Sequence, residues 1–127
     1  MALEVRGARR RPVWEPGPAR IARVDPPDGA CGVFRDACVM AQLTRPADPR
    51  SLTGTTFRIE DDRGVVPASL HVSPDRVVLV WRAERLLVPH VEHVIHAEGI
   101  RDLQGRAIEA YSSRFVPCDL VSNGWPP

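Results

Sequence analysis

His90, His93 and His96 lie within seven residues and form the densest group of potential metal ligands in the chain. The surrounding segment, Val91 to Ala97, reads as a β-strand, in which successive side chains point to opposite faces. His90 and His96 then share one face and His93 takes the other. His90 and His96 also stand roughly 20 Å apart along an extended strand. Three ligands in that arrangement do not converge on one metal ion. The pattern places His93 in the core with Val91, Ile95 and Ala97, and leaves His90 and His96 as polar surface residues. His71 lies elsewhere with no obvious partner.

Glu60, Asp61 and Asp62 form an acidic turn, and Asp102 joins them only if two loops meet. A carboxylate cluster can bind calcium, but the D-x-D-x-D-G spacing of a dedicated loop is missing. The expectation is solvated turn acids. Ser69, Ser73, Ser112 and Ser113 are not in a G-x-S-x-G elbow. Cys31, Cys38 and Cys118 are odd in number and form no C-x2-C pair, so they match neither a closed disulfide framework nor a zinc pattern. No glycine-rich phosphate loop is present. These residues predict no enzyme, no resident metal, no cofactor and no small-molecule substrate.

All 17 basic residues are arginine, against 16 acids, for a net charge of +1. Arginine favours planar, bidentate contacts with anions, although a codon bias produces the same composition. Near neutrality, no global field steers the protein to nucleic acid or membrane. The local exception is residues 1–18, an arm holding Arg6, Arg9, Arg10 and Arg11, followed by Trp14-Glu15-Pro16-Gly17-Pro18. Its prolines oppose both helix and central strand. It reads as a tail or as a docking arm, with Trp14 as anchor and the arginines against an acidic surface. Trp14 and Trp125 both sit in proline-rich ends, where large aromatics are hard to bury locally. They either fold back on the domain or contact a neighbour. The candidate partner-binding residues are therefore Arg9, Arg10, Arg11, Trp14 and Trp125, with a protein as partner. The alternative is polyanion or nucleic-acid binding through the arm, which demands a steep salt dependence.

The 127 residues fit one domain. A chain of this length can bury about two-thirds of its unfolded surface without a metal or disulfide staple. No run approaches the ~20 apolar residues of a membrane span, and the N-terminus lacks the apolar core of a secretory signal. Compartment and disulfide state stay open.

The 13 prolines and 9 glycines predict many turns and no long helix. Short alternating runs predict strands. They begin with Ile21 to Val24 and Ala37 to Leu43, where Val39, Ala41 and Leu43 share a face. Thr56 to Glu60 follows with Phe57 and Ile59 inward. A turn at Asp61-Asp62-Arg63-Gly64, with Gly64 at positive φ, leads into Val65 to Val72, which pairs back. Pro67 marks an edge or bulge there. Arg76 to Trp81 is the most apolar run and reads as a central strand, with Trp81 in the core. Leu86 and Leu87 cap the end of the core. Val91 to Ala97 and Ser112 to Val116 complete the set. About seven strands at this spacing predict an all-β, antiparallel, immunoglobulin-like β-sandwich. Residues 1–18 would be the arm, 19–121 the sandwich and 122–127 a C-terminal tail.

The segment from Arg20 to Leu120, about four-fifths of the chain, resembles the bacterial Ig-like domains of the surface-layer-protein type. Val24-Asp25-Pro26-Pro27-Asp28-Gly29-Ala30, with Gly32-Val33, resembles the family's opening. Leu43-Thr44-Arg45-Pro46-Ala47-Asp48 matches its second strand and turn, with Ala47 where Met is usual. Ser51-Leu52 and Thr55-Thr56-Phe57 match its serine-leucine and threonine-phenylalanine segment. Leu87-Val88-Pro89 matches its leucine-x-proline turn. Gly99-Ile100-Arg101-Asp102-Leu103-Gln104-Gly105 matches its Gly-x-x-Asp-x-x-Gly loop, and Phe115 its closing strand. The chain departs from the family at His93, where tyrosine is usual, at His90, where glycine is usual, and at Arg82, which replaces a proline.

The resemblance implies a non-catalytic sandwich used as a spacer, stalk or adhesion module at the cell surface or in larger assemblies. A single copy implies docking on another protein. The usual antibody-type bridge joins the second and sixth strands, and the sixth strand here has no cysteine. Bridges from Cys38 or Cys31 to Cys118 remain open, as do three free thiols.

Overall fold

Phe57, Ile59, Leu79, Ile95 and Phe115 are each at most 1% exposed, and they share one hydrophobic core. They meet between two β-sheets in a computed structural model that describes residues 17–122. The strands are β1 (Ile21–Asp25), β2 (Ala30–Val33), β3 (Val39–Leu43), β4 (Phe57–Asp61), β5 (Gly64–Val65), β6 (Ala68–Val72), β7 (Val78–Ala83), β8 (His93–Ala97) and β9 (Tyr111–Pro117). One sheet has the order β1-β3-β7-β6, the other β2-β9-β8-β4-β5. The named helical segment is a single 3-10 turn at Pro49–Ser51, where the Asp48 side chain accepts from the Arg50 N–H. The protein is an all-β sandwich, as the strand pattern predicts.

Burial follows period-two alternation. Val39, Ala41 and Leu43 of β3 face inward and Met40 and Gln42 outward. His93, Ile95 and Ala97 of β8 are buried. Leu79 and Trp81 of β7 are buried, and Val78 and Val80 on the opposite face are half-buried. That matches a central strand with both faces at least partly covered. Each large aliphatic or aromatic side chain sealed in this way contributes about 1.5–3 kcal/mol.

Among the described residues nine strands form where about seven were expected. One difference is β2, which pairs with β9 in parallel, Ala30 opposite Phe115 and Cys31 opposite Val116. β2 carries no apolar alternation. Its register shifts between Cys31 and Val33, and Gly32 sits at φ 74°. The other is that Val65 to Val72 is two strands. β5 closes a hairpin with β4, pairing Glu60 with Val65 and Asp61 with Gly64, while β6 pairs with β7 in the opposite sheet. Val66-Pro67 carries the chain across the edge of the sandwich, because proline lacks the N–H that a continuing ladder needs. Gly64 has φ 115°, as the turn requires. At the end of the core Leu87 is 1% exposed, but Leu86 is 43% exposed and does not cap it.

Candidate functional site

His93 is fully buried and its ring stacks on Phe115, with centroids 5.3 Å apart. Its Nδ1 lies 2.8 Å from the Val91 carbonyl oxygen. A carbonyl only accepts, so Nδ1 carries the hydrogen. The other ring nitrogen, Nε2, faces Asp61 Oδ2 at 4.0 Å, and both side chains are essentially inaccessible. Neither atom has a hydrogen-bond partner among the described residues. Asp61 Oδ1 accepts from the Arg63 N–H at 2.8 Å, which shapes the hairpin turn. The expectation of a solvated acid at Asp61 is therefore wrong. Phe57, Ile59 and Asp61 occupy alternate positions of β4, so the period that buries the first two also turns Asp61 inward. His93 fills the core slot expected of it.

The other candidate ligands diverge. Glu60 accepts from Arg58 Nε at 2.9 Å and lies 3.7 Å from His96 Nε2, on the outer face of the sheet. Asp62 is exposed. His90 precedes β8 in a turn, at φ 63°, instead of sharing a strand face with His96. That backbone region favours glycine, the residue the resembled family usually has there. Among the described residues no group of three or more His, Cys, Asp or Glu could hold a metal ion.

Asp102, 1% exposed, organises its loop. Its Oδ1 accepts from the Gln104 and Arg106 N–H groups at 2.9 and 3.0 Å. Arg45 Nη1 lies 3.9 Å from Oδ2. The loop is fastened to the turn after β3: the Asp48 N–H donates to the Arg101 carbonyl, and the Arg101 N–H donates to Ser51 Oγ. Thr56 Oγ1 in turn donates to the Ser51 carbonyl at 2.6 Å. The serine-leucine, threonine-phenylalanine and Gly-x-x-Asp-x-x-Gly segments thus form one polar knot with a structural task.

Cys31 is exposed, Cys38 and Cys118 are partly buried, and all three are free thiols. Ser73 donates to Asp75, Ser113 is buried on the core side of β9, and Ser69 and Ser112 are exposed. Ser122 donates through N–H and hydroxyl to Asp36 at 2.9 and 2.7 Å, which holds the Asp36 carboxyl below the usual carboxylate range. Arg9, Arg10, Arg11, Trp14 and Trp125 lie outside the described residues. Among the described residues no helix is long and apolar enough to cross a membrane.

The sheet edges are the remaining chemistry. β1 and β6 flank one sheet, β2 and β5 the other. β1 has a register irregularity and carries Arg23 and Asp25. β2 is irregular, and β5 is two residues long. β6 is five residues long, regular in register and free of carboxylates and arginines. In the sequence β6 runs on from β5 as one strand, Val65 to Val72, which hides this edge. Its signal was present in Ala68-Ser69-Leu70-His71-Val72, an alternating run without Asp, Glu or Arg.

Solved structures share this fold. Domains 1-6 of the surface layer protein SbsC match with TM-score 0.62 and 14% identity, over 81% of this chain and 14% of that one. CopC from Methylosinus trichosporium OB3b matches with TM-score 0.64 and 15% identity, over 84% of this chain and 99% of that one. An L,D-transpeptidase from Mycobacterium smegmatis matches with TM-score 0.56 and 18% identity, over 80% of this chain and 41% of that one. The fold is thus one that occurs both as a minor part of long chains and as nearly the whole of a short one. At these identities the likeness is one of architecture. No family model matches the chain, and no curated protein does.

Proposed function

We propose that this chain is a non-catalytic, Ig-like structural module of a bacterial surface or extracellular assembly, spanning residues 19–121. It binds protein partners through sheet edges, loops and its terminal segments, with Arg9, Arg10, Arg11, Trp14 and Trp125 as contact residues. The observation that carries this reading is the β6 edge, unpaired among the described residues, set beside polar groups already committed to structure. Asp102 holds a loop, Asp61 and His93 face each other inside the core, and Glu60 is engaged with Arg58 and His96. An unpaired strand edge is a template for pairing with another chain. The likeness of fold to SbsC, a surface-layer protein, supports the same reading.

Carbodiimide cross-linking in the native source tests it. The chain has no lysine, so apart from α-amino groups its carboxylates couple only to amines of other proteins. The expected result is cross-links to a surface protein, mapped to the acids flanking the sheet edges or in the arm. Recovery of the chain with no cross-linked partner overturns the proposal.

A further inference from the structure

Ala68, Leu70 and Val72 present their backbone N–H and C=O groups at an edge that no strand among the described residues pairs with. The phase follows from two bonds flanking the strand: the Ser73 N–H donates to the Val78 carbonyl, and the Glu84 N–H donates to the Pro67 carbonyl. Pairing with β7 runs without a register shift from Ala68 opposite Ala83 to Val72 opposite Leu79. In an antiparallel ladder alternate residues bond to the same neighbour. Ser69 and His71 therefore share the phase of Pro67 and Ser73 and point to β7. The residues between them point away, three residues with two polar groups each.

From this edge we infer that β6 pairs with β6 of a second copy of this chain, antiparallel about a two-fold axis through Leu70. The inference rests on the proposed role in assembly and names one partner for it. With Leu70 opposite its counterpart, Ala68 faces Val72 of the other copy and all outward-pointing backbone groups are matched. The register is thus a hydrogen-bonded one, as the phase requires. The side chains are self-complementary. Ser69 and His71, both exposed, come opposite each other twice, at the close, non-hydrogen-bonded positions. A hydroxyl and an imidazole can bond there, and no like charges meet. Ala68, Leu70 and Val72 on the other face are half-buried and packed against the core. Beside Leu70 a recess of about 350 Å³ opens between the sheets, lined by apolar residues such as Leu52, Val66 and Trp81 and by the polar Thr53, Arg58 and Ser69. The pairing covers its mouth and joins two four-stranded sheets into one of eight strands. The other edges lack this capacity, for β1 and β2 are irregular and β5 is too short.

Light scattering on the eluting full-length protein, with sedimentation over a concentration series, reads the outcome. The parent is expected at twice the chain mass. Ser69→Glu with His71→Glu sets carboxylate against carboxylate across the axis and is expected to halve the mass with an unchanged circular dichroism spectrum. Arg82, opposite Ser69 on β7, offsets part of the added charge within each copy. Ser69→Glu with His71→Arg sets opposite charges across the axis and is expected to retain the dimer. A parent that is monomeric throughout the series overturns the inference, as does a Glu/Glu variant that stays dimeric. Because the chain has no lysine, copies of it do not couple to one another through side-chain amines. Cross-links to a surface protein together with a monomeric parent therefore refute self-pairing and leave the assembly role standing.

Discussion

His93 Nε2 and Asp61 Oδ2 stand 4.0 Å apart inside the sandwich, each without a hydrogen-bond partner among the described residues. With Nδ1–H committed to the Val91 carbonyl, a neutral imidazole presents an acceptor to a carboxylate, which also accepts. Two acceptors thus face each other with no donor between them.

Asp61→Asn supplies a donor at that point and keeps Oδ1 for the Arg63 N–H. It is expected to leave stability unchanged or raise it by about 1 kcal/mol. Asp61→Ala removes the turn bond, leaves Nε2 unsatisfied and opens a cavity, at a cost of about 1–3 kcal/mol. Urea denaturation of both variants checks this. Equal losses in the two variants would mean that the negative charge itself is needed, opposite a doubly protonated imidazole.

Asp102→Ala strips the Gln104 and Arg106 N–H groups of their acceptor in a partly buried setting. A loss of about 2–4 kcal/mol is expected, each such bond to a charged group contributing about 1.5–3 kcal/mol. Asp102→Asn retains Oδ1 and is expected to lose less than half as much. Amide exchange should speed up in residues 99–106 of the alanine variant, because the loop opens before the sheets do.

Asp36 predicts a pH dependence at the C-terminal end. Its carboxyl is held low by the Ser122 hydroxyl and N–H, so the folded state binds the proton less readily than the unfolded chain. The bonds therefore contribute fully above the ordinary aspartate value of about 3.9. Their contribution is lost as pH falls through the lowered folded value. Ser122→Ala is expected to move the Asp36 titration back towards that ordinary value, read by carboxyl carbon NMR. An unmoved titration would show that the hydroxyl does not set it.

Ile59→Ala truncates a side chain with no exposure between β4 and the opposite sheet. A loss of about 2–5 kcal/mol is expected. Val65→Ala, on the exposed β5, is expected within about 0.5 kcal/mol of the parent. Thermal denaturation of the pair distinguishes a packed sandwich from a loosely collapsed one, in which the two costs would converge.

Much of the core was legible in the chain itself. Alternation alone turns Phe57 and Ile59 inward and puts Ile95 in the core, and all three are buried together. Gly64 was placed at positive φ from its turn, and His93 in the core from its strand. These features depend on near neighbours in sequence, where backbone geometry links residue type to direction. β2 escaped because its partner β9 lies more than eighty residues away, and no local pattern announces a parallel pairing.

Alternation turns Asp61 inward, but its burial and the place of β6 were decided by the tertiary structure. The acidic turn reads as solvent-facing, yet the position of β8 beside β4 brings His93 opposite Asp61 and buries both. Residues 65–72 read as one strand, yet the crossing at Val66-Pro67 makes β6 the edge of the other sheet. Residue types determine which side chains avoid water. Whether a backbone N–H finds a neighbour depends on sheet order, because the polar groups of the main chain are the same in almost every residue.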